Sequence, residues 1–289
     1  MYTHTPVLVE ETMQFLDPRP GNRFIDATLG AGGHTRAILD RTAPDGRVLG
    51  IDQDETALSS AKVMLESFGS RVVLVHSNFR SVRTIAETHG FLECDGVLAD
   101  IGLSSMMVDD PSRGFSFIHE GPLDMRMDRN QALTAAEVVN TYSEKEIADI
   151  IYSYGEERRS RPIARSIVRS RPLQRTTDLV RAIERVSGGA RYRQIHPATR
   201  TFQALRIHVN DELRSLEQFI DSAMETVRSG GRVVVITFHS LEDRIVKQRF
   251  RMPAVTGRVL TKKVVTASDE EVRRNPRARS AKLRAWERS

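Results

Sequence analysis

The stretch Arg23-Phe24-Ile25-Asp26-Ala27-Thr28-Leu29-Gly30-Ala31-Gly32-Gly33-His34-Thr35 reads as a short strand, a glycine turn and the start of a helix. Phe24 and Ile25 suit a strand covered on both faces, as parallel strands are. Without Cβ atoms, the three glycines let the backbone turn sharply and a ligand come close. A helix opening near Thr35 would aim its unpaired N–H groups at that ligand. The next strand-like run, Val48-Leu49-Gly50-Ile51-Asp52, ends in an acid. It lies about 20 residues beyond the glycines, where such folds place a carboxylate on a ribose. The pattern predicts a nucleotide-type cofactor cradle. A glycine turn without any ligand is the alternative on local pattern alone.

A dinucleotide fingerprint requires G-x-G-x-x-G, and here Thr35 stands where the third glycine would be. A phosphate-binding Walker loop requires a Lys-Ser/Thr pair after the glycines, and none follows. A shorter turn flanked by Asp26 and Asp52 suits S-adenosylmethionine, which has a ribose and a charged amino acid but no phosphates.

The chain has 289 residues, 39% hydrophobic and 28% charged, the balance of a soluble globular protein long enough for one large domain or a domain carrying a second. A single cysteine, Cys94, excludes an internal disulfide and suggests a reducing compartment. The first residues lack a basic region followed by an apolar run, and no run approaches the ~20 apolar residues of a membrane helix. A cytoplasmic location without membrane attachment is the expectation. The net charge of +5 is unevenly spread. Glu156 to Arg200 holds twelve arginines against four acids, and Arg244 to Ser289 fourteen Lys/Arg against four acids. Two basic blocks thus sit on an acidic body, and such blocks attract a polyphosphate backbone. Solvated faces are the alternative reading of either block. The earlier block contains arginine and no lysine, and the planar guanidinium suits phosphate and base stacking, which points to RNA.

The first half alternates strand-like and helix-like segments, the signature of a parallel sheet with crossover helices. Helices are predicted over Asp54 to Phe68 and Ser81 to Thr88, and strands over Arg71 to Val75 and Asp95 to Asp100. In open α/β sheets ligands bind beyond the carboxyl ends of the strands, which would gather Asp26, Asp52, Phe79 and Asp100 at one edge. From Asp109 the alternation stops. Turn-rich segments lead into short helices at Thr134 to Asn140, Ser143 to Tyr152, Arg158 to Arg169 and Thr177 to Val186. Thr134 and Ser143 are N-cap candidates, each with a glutamate three residues on. A helix is predicted from Thr199 to Arg228, with Phe202, Leu205, Val209, Leu213, Leu216 and Ile220 on its apolar face. Beside them runs a polar row of Thr199, Gln203, Arg206 and Asn210. Arg232 to Phe238 is a fifth buried strand, followed by a helix from about His239. Val259 to Val265 and Ala281 to Trp286 are late strands. The organisation is an α/β sheet domain over residues 1–108 and 199–289, interrupted by a helical domain over 109–198.

Several blocks carry a more specific resemblance: Asp26 to Thr35, Asp109-Asp110-Pro111-Ser112-Arg113-Gly114-Phe115-Ser116-Phe117 and Gly121-Pro122-Leu123-Asp124-Met125-Arg126-Met127-Asp128. So do Tyr154 to Arg158, His196 to Ala204, Phe238 to Arg244 and Asn275 to Ser280. With these the chain resembles the RsmH (MraW) family, bacterial 16S ribosomal RNA cytosine-N4 methyltransferases that use S-adenosylmethionine. The likeness begins at His4 and covers nearly the whole length. It implies a Rossmann-like class I S-adenosylmethionine-dependent fold with an RNA-binding helical insertion, and 16S ribosomal RNA or the small ribosomal subunit as partner. The cofactor contacts implied by the resemblance fall on the Gly30 turn with Gly32, Gly33 and His34, on Asp52 for the ribose, and on Phe79 and Asp100. One departure stands out. Before Asp109 the family usually has a glutamine, whereas this chain reads Met106-Met107-Val108, so that contact is not carried over.

Methyl transfer from a sulfonium is an in-line displacement dominated by positioning. The N4 amine of cytosine needs an acceptor for one of its hydrogens to localise its lone pair. The Pro-Pro-aromatic device of DNA amino-methyltransferases is missing after the fourth strand, where the chain reads Asp100-Ile101-Gly102-Leu103-Ser104-Ser105. Asp100, Ser104 and Ser105 are therefore the catalytic candidates. Phe115, Phe117 and Tyr192 are candidates to stack a splayed base, with core packing the alternative for each phenylalanine. His239 lies at the active edge, with helix capping as its alternative role. No cysteine pair and no His/Asp cluster has ligand spacing, so no metal is expected. A DNA or protein methyltransferase and a non-catalytic RNA-binding module are the competing readings. The missing Pro-Pro-aromatic motif counts against the DNA version, and the intact turn with Asp52 and Asp100 against the module.

Overall fold

The computed structural model describes residues 6–187 and 196–289. The first half runs α1 (Val9–Leu16), β1 (Arg23–Asp26), α2 (Gly33–Arg41), β2 (Arg47–Asp52), α3 (Glu55–Met64), β3 (Val72–His76), α4 (Val82–His89) and β4 (Cys94–Asp100). Then come α5 (Ser105–Asp109), α6 (Ala135–Thr141), α7 (Glu144–Gly155), α8 (Ser160–Arg169), α9 (Thr176–Ser187) and α10 (Ala198–Asn210). The remainder is α11 (Glu212–Thr226), β5 (Val227–Thr237), α12 (Ser240–Arg251), β6 (Gly257–Val259), β7 (Val265–Thr266), α13 (Asp269–Arg274) and β8 (Lys282–Arg288). These elements form two compact units, one of the chain up to Gly102 together with Leu213–Ser289, the other Leu103–Glu212.

The first unit holds a sheet in the order β3-β2-β1-β4-β5-β8-β6, with β7 also pairing β8. β1 to β5 are mutually parallel, and β8 runs antiparallel to β5, β6 and β7. The order reverses between β1 and β4, a topological switch point of the kind that binds ligands in open α/β sheets. Side chains alternate between faces. Ile25, Leu49 and Val97 enter a core with Phe219 and Trp286. Phe24, Val48 and Leu98 enter another with Ile38, Val234 and Leu283. Both faces are buried, which is why these strands read as continuous apolar runs.

The second unit is helical and has its own core, in which Val138, Ile147, Ile151, Ile163, Ile167, Leu179, Phe202 and Leu205 meet. The predicted caps are in place: Thr134 accepts from the Glu137 N–H, and Ser143 and Glu146 form a reciprocal capping box. In α8, Ile163, Ala164 and Ile167 are buried, while Arg161, Arg165 and Arg169 recur at four-residue steps along the exposed face. The turn-rich segment before α6 is ordered by Arg113, which is buried and donates to the carbonyls of Arg126 (3.0 Å) and Met127 (2.8 Å). Gly121 lies so close to Pro111 that a Cβ would stand 1.8 Å from its carbonyl oxygen. Phe115 is buried in this core, and Phe117 packs between His196 and Phe202 at centroid distances of 5.0 and 5.4 Å. Both phenylalanines thus have packing roles, and Tyr192 lies outside the described residues.

Two elements differ from the sequence-based expectation. The helix predicted from Thr199 to Arg228 is two, α10 and α11, broken at Asp211, whose φ of 48° and ψ of 41° are left-handed. The late strand predicted over Val259 to Val265 is two shorter ones, β6 and β7, both paired to β8.

Candidate cofactor site at the carboxyl edge of the sheet

The glycine turn and the residues that fix it lie within the sheet unit. After β1 the chain is held to its neighbours by Ala27 N–H donating to Leu98 O (2.8 Å) and Leu29 N–H to Ile51 O (2.9 Å). It then turns through Gly30 (φ 52°) and Gly32 (φ 88°) into α2. Gly32 is required twice over. Its φ is one that side-chain-bearing residues rarely adopt, and a Cβ there would lie 3.1 Å from Leu65 Cδ1. Asp52 fixes the turn from β2: its Oδ2 accepts from Gly30 N–H (2.8 Å) and its Oδ1 from Asp54 N–H (2.9 Å). Burial pushes the Asp52 carboxyl up to about 6, against the lowering effect of those two N–H donors. A carboxylate has further lone pairs beyond those two bonds, so Asp52 retains acceptor capacity.

Asp26 is buried and accepts from Thr35 Oγ1 (2.7 Å) and Thr28 N–H (3.3 Å); burial raises its pKa. Thr28 in turn accepts the Asp100 N–H at 2.6 Å, tying the turn to the end of β4. The buried His34 imidazole places Nε2 3.6 Å from Asp100 Oδ2. Burial alone would lower the His34 pKa, but Asp100, Asp26 and Glu271 together raise it. The chain before α1 adjoins the turn, since a Cβ on Gly33 would lie 2.9 Å from Pro6 Cγ. Leu8 N–H donates to Glu271 Oε1 of α13 at 2.7 Å. Phe79 follows β3 and sets its ring edge-on to Phe219 at 5.2 Å.

Gly30, Gly32, Gly33, His34, Asp52, Phe79 and Asp100 all lie in the sheet unit, with Gly30 bound to Asp52 and His34 set against Asp100. Ser104 and Ser105 belong to the helical unit, at the start of α5, where the Ser104 hydroxyl caps the helix by accepting from Met107 N–H (3.2 Å). Met107 is buried in that unit's core, so the residue standing where a glutamine was expected serves packing. His239 has the capping role: its Nδ1 accepts from Glu242 N–H, and Glu242 reaches back to the His239 N–H. Thr28 and Thr35 are the polar residues whose part in the site was not anticipated; each lies inside the glycine motif, but its bond gives no local pattern.

The residues present fit S-adenosylmethionine. His34 Nδ1 and Asp100 Oδ1 are buried without a hydrogen-bond partner among the described residues, as expected of groups that complete their bonding with a ligand. A Cβ on Gly30 would meet nothing within 4 Å among the described residues, which leaves room beside the turn for a ligand. Strand order, switch point and glycine turn together define a Rossmann-like class I methyltransferase fold, and S-adenosylmethionine is its cofactor. Residues 1–289 match the MraW methylase family. Among curated relatives, a protein of Nostoc sp. named Ribosomal RNA small subunit methyltransferase H is 51% identical, the match covering 99% of this chain and 93% of that one. A protein of the same name from Dehalococcoides mccartyi is 49% identical over 99% of this chain and 87% of its own. Another, from Thermomicrobium roseum, is 49% identical over 99% and 94%. The chain belongs to the MraW methylase family. Among the described residues no helix is long and apolar enough to cross a membrane.

Proposed function

We propose that this chain transfers a methyl group from S-adenosylmethionine to the exocyclic N4 of a cytidine in 16S ribosomal RNA of the small subunit. Support for the substrate is the match of nearly the whole chain to relatives named for that subunit's RNA, at about half identity. Support for the chemistry is one observation above the others: a buried carboxylate oxygen of Asp100 with no hydrogen-bond partner among the described residues, at the carboxyl end of β4 beside the switch point.

In this reading the turn of Gly30, Gly32, Gly33 and His34 holds the amino-acid end of the cofactor, Asp52 accepts from the ribose hydroxyls and Phe79 borders the adenine. S-adenosylmethionine, when bound, supplies a methyl group on a positively charged sulfur. Asp100 accepts a hydrogen bond from the target amine, which localises the nitrogen lone pair as attack begins. Ser104 and Ser105 are the alternative acceptors; the Ser104 hydroxyl can accept a second hydrogen bond while it caps α5. Thr28 holds the Asp100 backbone and so sets where that carboxylate stands. The arginine-rich helical unit takes the RNA.

The test combines methyl-labelled S-adenosylmethionine with unmodified small subunits, free 16S RNA, DNA and protein in parallel, followed by mass spectrometry of the digested nucleosides. N4-methylcytidine in ribosomal RNA alone is the expected product, and label only in DNA or protein would refute the reading. Asp100→Ala should lower turnover on the order of 10²-fold or more at saturating cofactor. Unchanged turnover would transfer the acceptor role to Ser104 or Ser105.

A further inference from the structure

We infer that the rim of the sheet formed by β7, α13 and the Pro276–Ser280 turn is a second RNA-binding surface, which holds phosphates flanking the target nucleotide. The inference rests on the RNA substrate proposed above. Its first support is position. Asp100 pairs with Ile236, Ile236 with Leu283, and Leu283 with Val265, so one row crosses the sheet from the candidate acceptor to β7. At ~4.8 Å per strand, the rim begins about 10–15 Å from Asp100. α13 is moreover tied to the glycine turn by the Leu8–Glu271 bond, next to Pro6 over Gly33.

The second support is charge. Lys262, Lys263, Arg273 and Arg279 are exposed and make no ion pair with any described residue. Elsewhere in the same unit exposed arginines are mostly spoken for, as in Arg83–Glu225, Arg228–Asp95 and Arg258–Glu287. The acids nearby do not neutralise the four. Glu270 pairs with Arg274, Glu271 turns inward to Leu8, and Asp269 sits in the first turn of α13, where the helix dipole favours it. Free cations beside an acidic cofactor site suit a polyanion that must bring one base to that edge while keeping its backbone outside.

The experiment is a salt titration of binding to 16S RNA, comparing the wild type with Lys262→Ala/Arg273→Ala/Arg279→Ala. Each lost phosphate contact should reduce the slope of log K against log salt by about 0.7, so the triple variant should lose about 2. Affinity near physiological salt should fall on the order of 10- to 100-fold. S-adenosylmethionine affinity and Tm should stay unchanged. The charge-keeping variant Lys262→Arg/Arg273→Lys/Arg279→Lys should bind as the wild type does. Lys62→Ala/Arg251→Ala, exposed on α3 and α12, is the control and should leave the slope intact. An unaltered slope in the triple variant overturns the inference, as does an equal loss of affinity for polyglutamate, which would mark a surface for acidic protein. Binding is read without methyl transfer. A failure to form N4-methylcytidine would therefore count against the proposed reaction, and an unaltered slope against this surface.

Discussion

Asp52 shows how one side chain couples the site to stability. Its two oxygens hold the glycine turn and the start of α3, and burial raises its pKa to about 6. A carboxyl whose folded-state pKa is raised adds stability at low pH, and that contribution is lost as pH rises through the folded value. The unfolding free energy of ligand-free wild type, minus that of Asp52→Asn, should fall by about 1–2 kcal/mol between pH 4 and pH 6.5, the carboxylate keeping some solvent, and then level off. Urea titrations across that range measure it, and a difference flat in pH would contradict the assignment. Gly32→Ala should destabilise the protein by about 1–2 kcal/mol and weaken cofactor binding by calorimetry, because the left-handed backbone and Leu65 both resist a methyl there. The glycines and Asp52 were legible in the chain because turn geometry and ribose spacing leave a local signature. Thr28 was not. Its bond to the Asp100 N–H joins positions far apart in sequence, and a threonine at a strand end reads as an ordinary strand former.

The α10–α11 break is the clearest case at the level of elements. Phe202, Leu205, Val209, Leu216 and Ile220 keep helical spacing across it, and that spacing predicts one helix. The stripe in fact serves two cores: the first three residues lie in the helical unit's, the last two in the sheet unit's. Periodicity records burial, not which core does the burying. What stops α10 is polar. Asn210 turns its carbonyl to Met127 N–H (2.7 Å) and donates to Met125 O (2.8 Å), and the bidentate Arg206–Glu212 pair spans the left-handed Asp211. Asn210→Ala should cost about 2–4 kcal/mol by chemical denaturation, since it strands the buried Met127 N–H. A cost below ~1 kcal/mol would mean that the Arg206–Glu212 pair alone sets the break. β6 and β7 evaded the same logic for another reason: strands this short carry too few alternations to mark their ends.

For the molecule as a whole, the alternation of strands and helices was enough to read a parallel sheet, because crossover connections leave each parallel strand apolar on both faces. Strand order was not readable, since nothing local in Val233 to Ile236 names the partner on either side. That order puts β8, the latest strand in the chain, between β5 and β6, with Trp286 fully buried. Protein synthesis must reckon with this. A nascent chain at ~5–20 residues per second exposes the far edge of β5 for several seconds before Lys282 is made. During that interval Val233-Val234-Val235-Ile236 is an unpaired, β-branched edge of the kind that recruits other strands or a chaperone. Ribosome-stalled chains ending before Lys282 should be cleaved readily in β5 by added protease, and chains with β8 clear of the exit tunnel should resist. Equal resistance in both would show that the sheet can protect β5 without its last partner.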